Sequence, residues 1–234
     1  MSSAPEQSHD FVQANMSFYD EQAEKIEQQH PYTRQLAVST VDTIREIHPG
    51  LFNKDSTEVL DYACGIGMIS EALHPYVKRI VGVDISKGSV DVYNRKAAEK
   101  GLSAQMHAIA GSLKGEPEEL DGAKFDVVVC CGAYRHIPDI DAVTRALAFF
   151  LKPGGTLLVA DLKPAPDGRM IFPQRQPDIV PHKYGLSDDA MRKAFEYAGL
   201  TDFEYRGVPV PEFMKQYGAA ADLQSFIARG VKPV

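Results

Sequence analysis

Val59-Leu60-Asp61-Tyr62-Ala63-Cys64-Gly65-Ile66-Gly67 decides how the rest of the chain is read. An apolar run ends in an acid and passes into a turn with two glycines. Glycine lets the main chain approach a ligand closely and take backbone angles that other residues avoid. A lone G-x-G is weak evidence, and the third small residue of a dinucleotide fingerprint would fall near Ser70. Asp61, four residues before Gly65, argues against a dinucleotide. A carboxylate is repelled by a pyrophosphate and favoured beside an ammonium group.

Outward from this turn, Lys78–Asp84 reads as a second strand that also ends in an acid. Asp84 lies 19 residues after Gly65, where a carboxylate at a strand tip accepts hydrogen bonds from ribose hydroxyls. The alternative reading of Asp84 is an acid at the N-terminus of the next helix, ahead of Ser86. That helix presents Val90, Tyr93 and Ala97 on one face and stops at Gly101. Residues 104–110 are a third strand, and FDVVVCC (125–131) is apolar throughout, as a central parallel strand buried on both faces should be. A helix from Asp139 ends at LKPGG (151–155), TLLVADL (156–162) is the fifth strand, and Ser187 caps another helix. TDFEYRGVPV and LQSFIARGVK supply the last two strands, joined too tightly for a crossover helix.

The pattern specifies an α/β fold: a doubly wound, Rossmann-like, seven-stranded sheet, mostly parallel with an antiparallel last strand, and an N-terminal helical cap. Residues 1–10 read as disordered, 11–50 as the cap (a helix over Tyr32–His48), and 51–234 as the main domain. An insertion at 163–186 carries Pro164, Pro166, Pro173, Pro177 and Pro181. Both extra segments flank the crevice where a doubly wound sheet binds its ligand.

Composition narrows the partners. Hydrophobic residues make up 44% and charged residues 24%, and the net charge is −7. An acidic chain without a Lys/Arg run has no electrostatic footprint for nucleic acid. The opening residues form no secretory signal, and no apolar run has the length of a membrane span. Cys64, Cys130 and Cys131 make a poor disulfide framework, which points to a reducing, cytoplasmic setting. No His pair or C-x-x-C spacing suggests a metal site.

Taken in order, DYACGIG, VGVDIS, FDVVVCCGAYRHIPD and LKPGGTLLVADL resemble the class I S-adenosylmethionine (SAM)-dependent methyltransferases over about residues 57–162. FYDEQAEKIEQQHP and VPHKYGLSDDAMRKAFEYAGL extend the likeness to small-molecule enzymes like those of ubiquinone and menaquinone biosynthesis. The resemblance implies SAM as cofactor and a small organic acceptor, with monomer or homodimer left open. It places Asp61, Ala63, Gly65 and Gly67 about the methionine part of SAM, with Cys131 beneath it. Asp84 would hold the ribose, Ile85 would pack on the adenine, and Ser112 and Leu113 would meet the adenine edge. Tyr19, in FYD, either closes over the sulfonium or packs internally.

For the acceptor side, His136 is a candidate general base or a packing and capping residue. Arg135 replaces a histidine common in the family, and is read as an attractor of anionic acceptors or a solvated loop charge. His182 is a second candidate base or a surface residue. Tyr134 and Phe172 are candidate walls of the acceptor site, with the Met170-Ile171-Phe172 run alternatively a subunit contact. Two rival readings stay open: a nicotinamide-dependent oxidoreductase, and a SAM-binding regulatory protein without turnover.

Overall fold

The computed structural model describes residues 4–172 and 178–234. Pro173 and Pro177 of the expected insertion lie outside the described residues. Five parallel strands come first: β1 (Glu58–Tyr62), β2 (Arg79–Asp84), β3 (Met106–Ala110), β4 (Phe125–Cys131) and β5 (Leu151–Leu162). They are followed by β6 (Thr201–Pro209) and β7 (Gln224–Val231), and the sheet order is β3-β2-β1-β4-β5-β7-β6. Only β7 runs against its neighbours. The order reverses between β1 and β4, so the crevice opens above the C-terminal ends of those two strands.

Strand residues alternate between faces, which explains why the central strands are apolar without interruption. Val59, Val127 and Val129 share a core with α3 (Thr33–Ile47), α4 (Met68–Leu73) and α5 (Lys87–Glu99) through Val41, Ile44, Leu73, Val90 and Tyr93. Leu60, Val128 and Leu157 face α6 (Ile140–Phe149) and α7 (Asp188–Tyr197) through Val143, Leu147, Met191 and Phe195. Side-chain caps start the helices where the sequence marks them. Ser86 Oγ accepts from Ser89 N, Asp139 from Ala142 N, and Ser187 Oγ from Ala190 N.

Two expectations change. The first concerns the N-terminus, where a helix, α1 (Ala4–Gln22), covers residues 4–10 of the stretch expected to be disordered. Pro5 falls in its first turn, where a missing N–H costs nothing. Segment 11–50 is therefore most of α1, a short α2 (Ile26–Gln29), and α3. The second change is at LKPGG, which does more than end a helix. Leu151 already pairs with Phe125, and the ladder then shifts register before Thr156 pairs with Val127. Gly155 permits this irregularity, because a Cβ there would lie 2.8 Å from the Lys152 carbonyl oxygen.

A charge cluster fixes the N-terminal helices to the sheet layer. Glu71 on α4, only 7% exposed, meets Arg34 of α3 and Lys96 and Lys100 of α5. Burial pushes its carboxyl up, but Lys100, Arg34 and Lys96 outweigh that and hold it at about 2, against 4.5 when unperturbed. A lowered pKa contributes stability that is present above the unfolded value and lost as pH falls through the folded one. Thermal stability should therefore fall between about pH 4.5 and pH 2 in a Glu71-dependent way. Glu71→Gln should lower Tm at pH 7 by roughly 3–8 °C and flatten that acid limb. An unchanged limb in calorimetry would show the cluster to be energetically idle.

Candidate active site

The turn after β1 is built on backbone angles that exclude most residues. Ala63, Gly65 and Gly67 have φ of 55°, 52° and 88°. A Cβ on Gly67 would sit 2.6 Å from the Tyr93 ring, so this side of the turn is closed. Gly65 has open space where a Cβ would project, so the turn is free on its upper side. Asp61 precedes this turn on β1. Its buried carboxylate accepts a 2.7 Å hydrogen bond from Ser70 Oγ in α4, so it braces the turn from below. Burial raises Asp61 to about 7, with the Ser70 bond opposing and the Asp84 charge adding.

Asp84 closes the β2 side. Oδ2 accepts from Gly65 N at 2.8 Å, and Oδ1 accepts from Ser86 N at 2.9 Å. Each oxygen keeps a lone pair, so the carboxylate can still accept two hydroxyl donors. Burial pushes Asp84 up while the Ser86 and Gly65 amides pull it down. Ile85 is half-buried beside it. Ser112 (exposed) and Leu113 (half-buried) follow the tip of β3, where Gly111 N donates to the Asp84 carbonyl at 2.8 Å.

Helix α1 lies across this edge. Asp20, which sequence reasoning missed, accepts from Ser86 Oγ at 2.7 Å and from Gly88 N at 2.8 Å. Gly88 leaves the room, since a Cβ there would lie 2.9 Å from the Asp20 carbonyl oxygen. No local pattern links residues so far apart in sequence. One position earlier, Tyr19 points inward, where burial raises its hydroxyl, Arg135 opposes, and Asp84 and Asp161 add.

On the β4 side, Cys131 is half-buried at the strand tip, and the 3-10 turn Tyr134–His136 follows. Here three expectations are corrected. Tyr134 is not a wall of the site: it is fully buried, with its hydroxyl 3.1 Å from Thr144 Oγ1 beneath α6. Arg135 is neither a solvated loop charge nor a free cation. Nη1 pairs with Asp161 Oδ1 at 2.9 Å, its backbone N donates to Oδ2 at 3.1 Å, and the guanidinium lies 5.1 Å from the Phe172 ring centroid. Asp161, at the tip of β5, is buried and was also missed. Its signal was available, because LVADL ends in an acid just as β1 and β2 do. His182 is a clamp, its Nε2 donating to the Ile137 carbonyl at 2.9 Å.

His136 faces the crevice. Nδ1 donates to the Ile179 carbonyl at 2.9 Å, and Nε2 lies 3.4 Å from the Tyr19 hydroxyl. Burial and then the Arg135 charge lower it to about 4, so the ring is neutral at pH 7 and Nε2 carries a lone pair. Tyr32, near enough to act on Arg135, packs against Tyr217 with ring centroids 4.8 Å apart. Among the described residues, no group of three or more His, Cys, Asp or Glu is arranged to hold a metal. No described helix is long and apolar enough to cross a membrane.

The family described as a methyltransferase domain matches residues 59–155, the stretch that builds this crevice. A ubiquinone biosynthesis O-methyltransferase of Pseudomonas fluorescens is 31% identical over 73% of this chain and 76% of its own length. The chain belongs to the class I SAM-dependent methyltransferases. An uncharacterised methyltransferase of Schizosaccharomyces pombe is 34% identical over 74% of this chain; the match spans 63% of that relative, less than two thirds. Among solved structures, geranyl diphosphate C-methyltransferase from Streptomyces coelicolor shares the fold. Its TM-score is 0.62 and its identity 16%, over 83% of this chain and 80% of its own. Family membership displaces the nicotinamide reading.

The residues present fit SAM. The open side of the turn at Gly65 and the spare lone pairs of Asp84 suit a nucleoside, and the acids Asp84 and Asp161 about Tyr19 suit a cationic sulfonium. Asp84→Ala should raise the SAM dissociation constant about 100-fold, since hydrogen bonds to a charged group contribute about 1.5–3 kcal/mol each. Calorimetric titration, with circular dichroism to confirm folding, measures this. Unchanged affinity would remove Asp84 from the site.

Proposed function

We propose that this methyltransferase methylates a hydroxyl oxygen of a small acceptor, with His136 as the general base. The observation that carries the reading is the neutral His136 ring, with its Nε2 lone pair turned toward Tyr19 between the acids of the strand tips and Arg135. The O-methyltransferase named among the relatives supports the choice of oxygen.

When bound, SAM supplies an electrophilic methyl carbon on a sulfonium that departs as a neutral thioether. In this reading Asp84 holds the ribose, and Ala63, Gly65, Gly67 and Cys131 line the methionine end. Ile85, Ser112 and Leu113 border the adenine, and Asp61 supports the turn through Ser70. His136 Nε2 accepts the proton of the acceptor hydroxyl as its oxygen forms the new bond to carbon. Arg135 stays held by Asp161 and does not serve as a free anion receptor; its neighbour Phe172 contributes an apolar wall. The 11–50 segment and the described residues of 163–186 form the cap that excludes water and orients the acceptor. The net charge of −7 supports a small molecule over nucleic acid. The three free thiols support a cytoplasmic setting.

His136→Gln should lower kcat by about 10²–10³-fold with SAM affinity unchanged, scored by S-adenosylhomocysteine release against phenols, aliphatic alcohols and thiols. Wild-type kcat should be level through neutral pH and fall as pH drops toward about 4, where His136 protonates. Full turnover in the Gln variant would eliminate the base assignment.

A further inference from the structure

Asn15 is a buried polar side chain with one half of its amide paired and the other not. It lies on α1, is 4% exposed, and its Oδ1 is buried without a hydrogen-bond partner. An unpaired buried acceptor loses its water partners without replacement, so the arrangement is costly. Its Nδ2 donates twice, to the Phe11 carbonyl one turn earlier and to the Ile179 carbonyl, both at 2.9 Å. The amide cannot be turned over, because both partners are carbonyl oxygens that only accept.

The Ile179 carbonyl also takes the hydrogen bond from His136 Nδ1. A carbonyl oxygen has two lone pairs, so the two donors use its full capacity. Tyr19, four residues after Asn15 and on the same side of α1, completes the circuit by facing His136 Nε2. Four groups from α1, the β4–α6 turn and the 163–186 segment thus form one ring of contacts.

We propose that Asn15 is a positioning residue: by orienting the Ile179 carbonyl, it holds His136 as the Nδ1–H tautomer and leaves Nε2 bare on the Tyr19 side of the crevice. In the other tautomer Nε2 carries the hydrogen and cannot take a proton. The proposal rests on the reading of His136 as the base, but its test is separable.

The tautomer is read directly by long-range 1H–15N NMR on protein with 15N-labelled histidine, with His136 assigned from the signals lost in His136→Gln. Wild-type protein should show a protonated Nδ1 and a bare Nε2. Asn15→Leu removes the donor and the orphan acceptor together, so it should melt at or above the wild-type temperature. It should bind SAM unchanged, admit the Nε2–H tautomer, and lose about 10-fold or more in kcat with little change in KM. A pure Nδ1–H signal in Asn15→Leu, or wild-type turnover there, would overturn the assignment. Should that variant fail to fold, the wild-type spectrum decides on its own, since an Nε2–H tautomer there contradicts the proposal. Full activity in His136→Gln with the tautomer still Asn15-dependent would fell the base assignment and leave the positioning geometry standing.

Discussion

The Asp84 carboxylate sits where two turns have to be held together, and the architecture of the crevice follows from what it accepts. One oxygen takes the amide of Gly65, in the turn after β1; the other takes the amide of Ser86, in the turn after β2. A buried charge persists only when hydrogen-bonded, and these two amides meet that condition. Ser86 then passes the constraint on. Its hydroxyl accepts the Ser89 amide to start α5 and donates to Asp20, which lays α1 over the site. The covering helix, the glycine turn and the second strand are therefore registered to one another through the linked side chains of Asp84, Ser86 and Asp20.

Three acids lie at the C-terminal ends of β2, β1 and β5, the last separated from the others by β4, and their surroundings assign them different work. Asp61 is sealed against Ser70 and supports the turn. Asp84 is held by amides and retains accepting capacity. Asp161 is committed to Arg135. That last pairing shapes the acceptor side: the Arg135 charge is balanced, so it does not create a strong field for anions. The same charge, after burial, keeps the adjacent His136 from protonating. The result is a neutral imidazole beside a cation already paired with a carboxylate.

The family resemblance and its cofactor were legible from residues 57–162, because glycine turns and strand-end acids are local features with fixed spacing. The acceptor side was harder to read. Tyr134 and Arg135 are neighbours on one short 3-10 turn, yet one side chain enters the core and the other turns to Asp161. Nothing in AYRHIPD distinguishes them. Asp20, Tyr32 and Tyr217 escaped notice for a related reason, since each matters through a partner distant in the chain.

What the sequence determined by itself was the set of strands, the helices from α3 onward with their caps, and the turn that requires glycine. Those depend on periodicity and on backbone angles that a few residue types alone can adopt. Tertiary structure decided where α1 lies, that Asp61 faces inward, and which nitrogen of His136 carries its hydrogen. Side-chain direction and tautomer are set by hydrogen-bond partners, and those partners become neighbours only when the chain has folded.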